Sequence, residues 1–329
     1  MADMFAQGHA IVVGVGADLP VTVDDATAVA NLLCDSTRCA YPVNQVQLLT
    51  GKQATAANIL VALDTLVESV NPGSTVLVYF SGHGLETPDY YLIPYGYDLT
   101  DLPGTAIPGT LFTERLRAIE AKKLLVLLDC CHAGGQAEAK GLPGVKSPLP
   151  PSVTAELGRG SGRVVIASSR KDEESWILAG QPYSTFTAAL LEGLAGYGAF
   201  ERDGFARVLD LAMYIGRMVP DRTDDKQHPI VKVSNLEDNF ALAYYAAGEQ
   251  EPKSLDWAAG VPTISPALST REIESLQFRL HNYRENMLFI EERMSEYVRF
   301  TDVSLEDVKN KRRTEEQIAK LERKLGLQT

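Results

Sequence analysis

Cysteine is scarce in this chain: Cys34, Cys39, Cys130 and Cys131 are the only four in 329 residues. Two of them are adjacent and two lie five apart, which is no disulfide framework, and no histidine completes a zinc-ligand spacing. Long apolar runs are missing as well. The longest, such as Ser74 to Phe80 and Leu124 to Leu128, are far short of the roughly 20 residues a membrane span needs. The opening MADMFAQGHA has no basic region followed by an apolar stretch, so no secretory signal is expected and a reducing cytoplasm is the expected setting. Positive charge is short too: 31 basic residues face 43 acidic ones, for a net charge of −12. The imbalance lies in residues 1–270, where 19 basic residues meet 31 acidic; the remainder is balanced, 12 against 12. Such a surface disfavours nucleic acid and anionic lipid as partners. With 45% hydrophobic and 22% charged residues, what remains is an ordinary globular composition.

Between residues 10 and 250 the pattern alternates between strand and helix. Short apolar runs at Ala10–Val15, Val46–Leu49, Thr75–Phe80, Leu124–Leu128, Val164–Ala167 and Ile230–Val233 predict six strands. Helices are predicted at Asp24–Leu33, Ala54–Val70, Thr113–Lys122, Ser184–Leu194 and Leu209–Val219 from apolar residues three and four apart. Strands apolar on both faces and separated by helices predict an α/β fold with a mostly parallel six-stranded sheet covered on each side. Ligand crevices in such sheets form at the carboxyl ends of strands.

Two segments break the alternation. Gly134–Gly162 is rich in glycine and proline and predicts a long surface loop, and Glu249–Leu268 predicts a linker. The tail, 269–329, opens on Ser269-Thr270-Arg271-Glu272, a capping box. Ile273, Leu276, Leu280, Tyr283, Met287, Ile290, Met294 and Tyr297 then recur at alternating steps of three and four. Leu305, Val308, Ile318, Leu321 and Leu325 mark a second, less regular stripe, so a helical hairpin is predicted. The organisation expected is a domain over 8–248, a linker over 249–268 and a helical interaction module over 269–329. That module suits docking to a helical partner or a second copy, or packing on the domain.

The predicted strand Thr75–Phe80 runs into Ser81-Gly82-His83-Gly84, and Leu124–Leu128 into Asp129-Cys130-Cys131-His132-Ala133-Gly134-Gly135. Glycines here permit a tight turn and close backbone approach. If the two strands are neighbours, an imidazole and a thiol project from one sheet edge, the arrangement nucleophilic catalysis requires.

These boxes resemble the histidine and cysteine boxes of caspase-like peptidases, and are closer to metacaspases and their bacterial relatives than to animal caspases. The 48 residues between His83 and Cys131 are similar to the roughly 50 of caspases. Asp24-Asp25-Ala26, Arg163–Ser169, Ser184–Leu194 and Gln227-His228-Pro229 resemble further elements of the family, over about residues 8–245. The resemblance implies a cysteine endopeptidase with a caspase-like sandwich fold. Cys131 is the implied nucleophile, His83 the general base and acid, and Cys130 a packing residue. The backbone N–H groups of Gly84 and Cys131 are the implied oxyanion donors, each such donor being worth ~3 kcal/mol in a transition state. Asp25, Ser81 and Asp129 are implied to line a pocket for the arginine or lysine before the cut; helix capping is the competing role for Asp24 or Asp25. Two carboxylates on one cation at ~4 Å, with an effective dielectric near 20, give roughly 4 kcal/mol of gross attraction each before desolvation. Lys140, Lys146, Arg159 and Arg163 are candidate sites for processing, by the chain itself or by an activating protease. Relatives commonly use calcium. Asp89, Asp98 and Asp101 follow the histidine box without a dense acidic cluster, so no metal ligand is assigned and calcium stays open. A non-catalytic adaptor working through its tail, and a related cysteine peptidase of different specificity, are the rival readings.

Overall fold

The computed structural model describes residues 5–130, 162–170, 173–178, 180–255, 280–288, 290, 291, 294 and 305–324. The chain divides into two units, Met1–Ala259 and Gly260–Thr329.

In the first unit, six strands form the sheet: β1 (Gly8–Gly14), β2 (Val46–Thr50), β3 (Thr75–Thr87), β6 (Lys123–Cys130), β7 (Arg163–Ala167) and β9 (Ile230–Ser234). Their order is β2-β1-β3-β6-β7-β9, with every pair parallel except the last, so the sheet is mostly parallel, as the apolar runs predict. The pleat sends successive side chains to opposite faces. Ala10, Val12, Leu77, Tyr79, Leu125, Leu127, Val164 and Ile166 pack against helices α1 (Val21–Cys34), α5 (Thr185–Leu194) and α6 (Val208–Arg222). Ile11, Val13, Val76, Val78, Phe80, Val126 and Leu128 pack against α2 (Ala56–Ser69) and α4 (Gly109–Ala118) on the other side. Burying each such side chain contributes roughly 1.5–3 kcal/mol.

The sequence pattern misplaces some boundaries. Helix α1 begins at Val21, three residues before Asp24, and has no side-chain cap. Neither Asp24 nor Asp25 therefore caps it. The first half of β3 lies in the sheet. Its second half continues past Phe80: Ser81 and Gly82 still pair with β6, and His83–Thr87 pair antiparallel with β4 (Asp89–Ile93), which in turn pairs with β5 (Ile107–Pro108). The four-residue helix α3 (Leu102–Thr105) sits between β4 and β5. A second small ribbon joins β8 (Phe205–Arg207) to β10 (Ala241–Tyr244).

Residues 249–255, expected in a linker, are fastened to the first unit. The Arg38 guanidinium donates to the carbonyls of Lys253 and Ser254 at 2.6 and 2.7 Å, the Tyr245 hydroxyl donates to that of Gln250, and Leu255 is buried. The unit boundary accordingly falls at 259/260.

In the second unit, residues 280–288 are helical, as is α7 (Leu305–Lys324). Leu280, Tyr283, Met287, Ile290 and Met294 are wholly or partly buried, whereas 281, 282, 284–286, 288 and 291 are exposed, so the predicted stripe is the covered face. Ion pairs Arg284–Glu322 (2.7 Å) and Glu291–Lys311 (2.9 Å) run in opposite order along the two segments, as in an antiparallel hairpin. Among the described residues, no helix is long and apolar enough to cross a membrane.

Candidate active site

Strands β3 and β6 are parallel neighbours, in register from Thr75↔Lys123 through Ser81↔Asp129 to Gly82↔Cys130. The next residue along each chain is His83 on one side and Cys131 on the other. Cys131, His132, Lys140, Lys146 and Arg159 lie outside the described residues.

Ser81-Gly82-His83-Gly84 is extended strand and not a turn, since its second half is held by β4 through the pairs His83↔Ile93 and Gly84↔Leu92. Neither Gly82 nor Gly84 takes a positive φ. Gly82 is needed for space: a Cβ there would lie 2.7 Å from Val15 Cγ2 and 3.1 Å from the Phe80 ring.

His83 is 9% exposed. Its Nε2 is 2.9 Å from Asp18 Oδ2, while Nδ1 is buried without a hydrogen-bond partner among the described residues. That bond to His83, foremost, holds the Asp18 carboxyl below its usual range, against a smaller upward push from burial.

Cys130 and Asp129 point to opposite faces of β6. Cys130 joins the side packed by α2 and α4, where the Tyr90 hydroxyl donates to its sulfur at 3.5 Å. Burial pushes this thiol up to about 12, eased by the Tyr90 bond and aggravated by the Asp129 charge. A thiol held neutral at physiological pH is a poor nucleophile. Cys130 is a core residue.

Asp25 from α1 and Asp129 from β6 come together on the other face, both fully buried. Ser184, at the N-cap of α5, joins them: its N–H donates to Asp25 Oδ1 at 3.0 Å and its hydroxyl to Asp129 Oδ2 at 2.5 Å. The same hydroxyl accepts from the Thr187 N–H, closing the cap. Ser175 and Thr187 hydroxyls also donate to Asp129, at 3.0 and 3.2 Å. Asp25 has fewer donors. Among the described residues its Oδ2 has no hydrogen-bond partner, and neither has the buried Ser81 Oγ. Burial, then the nearby Asp129 charge, pushes Asp25 up to about 8, with the Ser184 N–H pulling the other way.

Ser175, Ser184, Thr187 and Asp18 were not anticipated from sequence. A Ser-x-x-Thr helix start announces a cap, but not that its hydroxyl also reaches a carboxylate on β6. Gln227, noted in the closing element, ties this shell to the sheet by donating to the Ser168 carbonyl and Ser175 Oγ.

Arg163 corrects an expectation. It is the first residue of β7, 5% exposed, and its guanidinium donates to the carbonyls of Leu116, Arg117 and Ile119. A cut after it would require that buried anchor to leave the fold, so it is a structural residue and not an accessible processing site. Asp98 and Asp101 accept from the N–H groups of Thr100 and Gly104 and so cap local turns. Among the described residues, no group of three or more His, Cys, Asp or Glu side chains is gathered to hold a metal.

Residues 7–241 match the family model of the caspase domain, peptidase C14. The chain is 27% identical over 186 residues to Metacaspase-1A of Aspergillus terreus, covering 53% of this chain and 45% of that protein. It is 24% identical over 250 residues to Metacaspase-1 of Emericella nidulans, covering 72% and 59% respectively. The chain thus spans about half the length of these relatives. A solved structure of a Geobacter sulfurreducens protein aligns with a TM-score of 0.49 at 17% identity, over 74% of this chain and 99% of that one.

Proposed function

The chain belongs to the caspase-domain family of peptidases, and from this we propose that it is a cysteine endopeptidase cutting proteins after arginine or lysine. Cys131 is the nucleophile and His83 the base. The imidazole takes the thiol proton, the thiolate attacks the scissile carbonyl carbon, and His83 then returns the proton to the departing amine. Water hydrolyses the thioester that remains. The N–H groups of Gly84 and Cys131 hold the oxyanion. The observation that carries this reading is the register of β3 on β6, which sets Gly82 beside Cys130 one residue before His83 and Cys131.

The specificity reading is supported by the two carboxylates bridged by Ser184 and by the buried oxygens Asp25 Oδ2 and Ser81 Oγ, which have no hydrogen-bond partner among the described residues. A guanidinium or ammonium would supply the missing donors and offset the repulsion between Asp25 and Asp129, whereas an acidic side chain would add to it. Lys140, Lys146 and Arg159 are the candidate processing sites that remain, and the hairpin is read as a docking module for a helical partner.

The test uses purified full chain and Cys131→Ala, with and without calcium, on fluorogenic peptides ending in Arg, Lys, Asp or Asn, followed by intact-mass analysis. Turnover of Arg and Lys peptides by the parent chain alone, at least 100-fold faster than of Asp peptides, is the expected result. Preference for Asp or Asn would overturn the specificity, and turnover by Cys131→Ala the mechanism. Intact mass reports whether the loop is cut and whether calcium is required.

A further inference from the structure

The geometry points to Asp18 as the positioning residue of the catalytic imidazole, so that Asp18, His83 and Cys131 act as a three-residue relay. The inference rests on the peptidase reading above. A carboxylate only accepts hydrogen bonds, so the 2.9 Å contact from Asp18 Oδ2 requires the proton of His83 to sit on Nε2. In the neutral ring, that leaves the lone pair on Nδ1, the buried nitrogen without a partner among the described residues.

Proton transfer then balances simply. The Cys131 S–H bond breaks with its electron pair left on sulfur, an N–H bond forms at Nδ1, and the ring carries a positive charge next to the negative Asp18. The proton later leaves with the amine, and the ring returns to the tautomer that Asp18 selects. Without the carboxylate, the two neutral tautomers compete, and only one can accept the thiol proton through Nδ1.

The loop that carries Asp18 is built to hold it there. Directly after β1 the backbone turns through left-handed conformations at Gly16 (φ 70°) and Ala17 (φ 58°). The Leu19 N–H closes the turn on the Gly16 carbonyl at 3.0 Å. Thr22 Oγ1 accepts from the Gly16 N–H and donates to the Leu19 carbonyl, both at 2.8 Å. Alanine rarely adopts this conformation unless its surroundings impose it. Among the described residues Tyr97 also feels Asp18: its hydroxyl is pushed up by burial and by that carboxylate. Because the Asp18 side chain is 50% exposed, solvent screens its charge, and its influence is smaller than that of a buried triad carboxylate.

The experiment compares the full chain with Asp18→Asn, measuring kcat and KM on an Arg peptide from pH 5 to 10. Asp18→Asn is expected to lower kcat roughly tenfold to 100-fold, well under the ~10⁴-fold seen for a buried triad aspartate. KM should stay within about twofold, and the alkaline limb of the kcat/KM profile should move to lower pH. The pH dependence of Cys131 alkylation by iodoacetamide, read by mass spectrometry, checks the same relay without substrate and should shift in the same direction. Parental kcat with an unchanged profile would overturn the role of Asp18, as would a fall in activity carried by KM or by lost folding with both profiles intact. Turnover that survives Cys131→Ala would instead overturn the peptidase mechanism on which the inference rests.

Discussion

At the scale of single residues, Asp25, a member of the proposed specificity pocket, bears on stability as well. In the unfolded chain an aspartate ionises near pH 4. In the fold, burial and the Asp129 charge push Asp25 up to about 8. Between those values the folded chain keeps a proton that the unfolded chain has lost, so on this group's account stability falls as pH rises from about 4 to about 8. Asp25→Asn removes that loss. Its Tm is expected to exceed the parent's by several degrees at pH 8.5, about 1 kcal/mol or more, with the gap narrowing toward pH 5. The same variant should turn over Arg peptides at least tenfold less efficiently. Thermal melts at the two pH values check this, and a gap independent of pH would contradict the burial argument.

The residues of this site were unevenly legible. Asp25, Ser81 and Asp129 stand in recognisable boxes, and the structure does bring the two carboxylates together. The hydroxyl shell of Ser175, Ser184 and Thr187 was not legible, because it comes from contacts across 46 to 58 residues of sequence that no local pattern encodes. Asp18 is one acid among 43, and only the fold of its loop over β3 gives it meaning.

At the scale of elements, β3 couples the sheet to the site. Its first half is apolar on both faces and easily read as strand. Its second half, Ser81 to Thr87, has little strand propensity and is extended because β6 holds Ser81 and Gly82 and β4 holds His83 to Thr87, tertiary contacts overriding local preference. The short β4, β5, β8 and β10 escaped prediction for a related reason: two to five residues carry too little periodicity. Gly82 is where the strand meets its tightest constraint. Gly82→Ala places a methyl against Val15 and Phe80 in a packed layer, a clash expected to cost about 1–3 kcal/mol. Tm should fall by several degrees, and activity should fall with it because His83 is the next residue. An unchanged melting curve would show that β3 can shift there freely.

At the scale of the whole molecule, an apolar two-faced sheet forms one unit, and the described residues of the other are helical at 280–288 and 305–324. The six main strands and their mostly parallel pairing follow from runs apolar on both faces, and the covered face of the described residues from 280 to 294 from its three-four stripe. The boundary between the units was less legible, because the proline-containing stretch after Gly248 looks like a linker while Arg38, more than 200 residues earlier, fastens its first part down. The sheet matters to the chemistry because it sets a strand ending at Cys130 beside the strand that carries His83. Between adjacent cysteines, the neutral, core-packed Cys130 leaves Cys131 as the nucleophile of the proposed mechanism. The most direct test is labelling with a peptide that ends in arginine and carries a thiol-reactive warhead, followed by peptide mapping. The account predicts one equivalent of label on Cys131, blocked by alkylating that residue first and far slower with an aspartate-ending probe. Label on Cys130, or faster reaction of the aspartate probe, would contradict it.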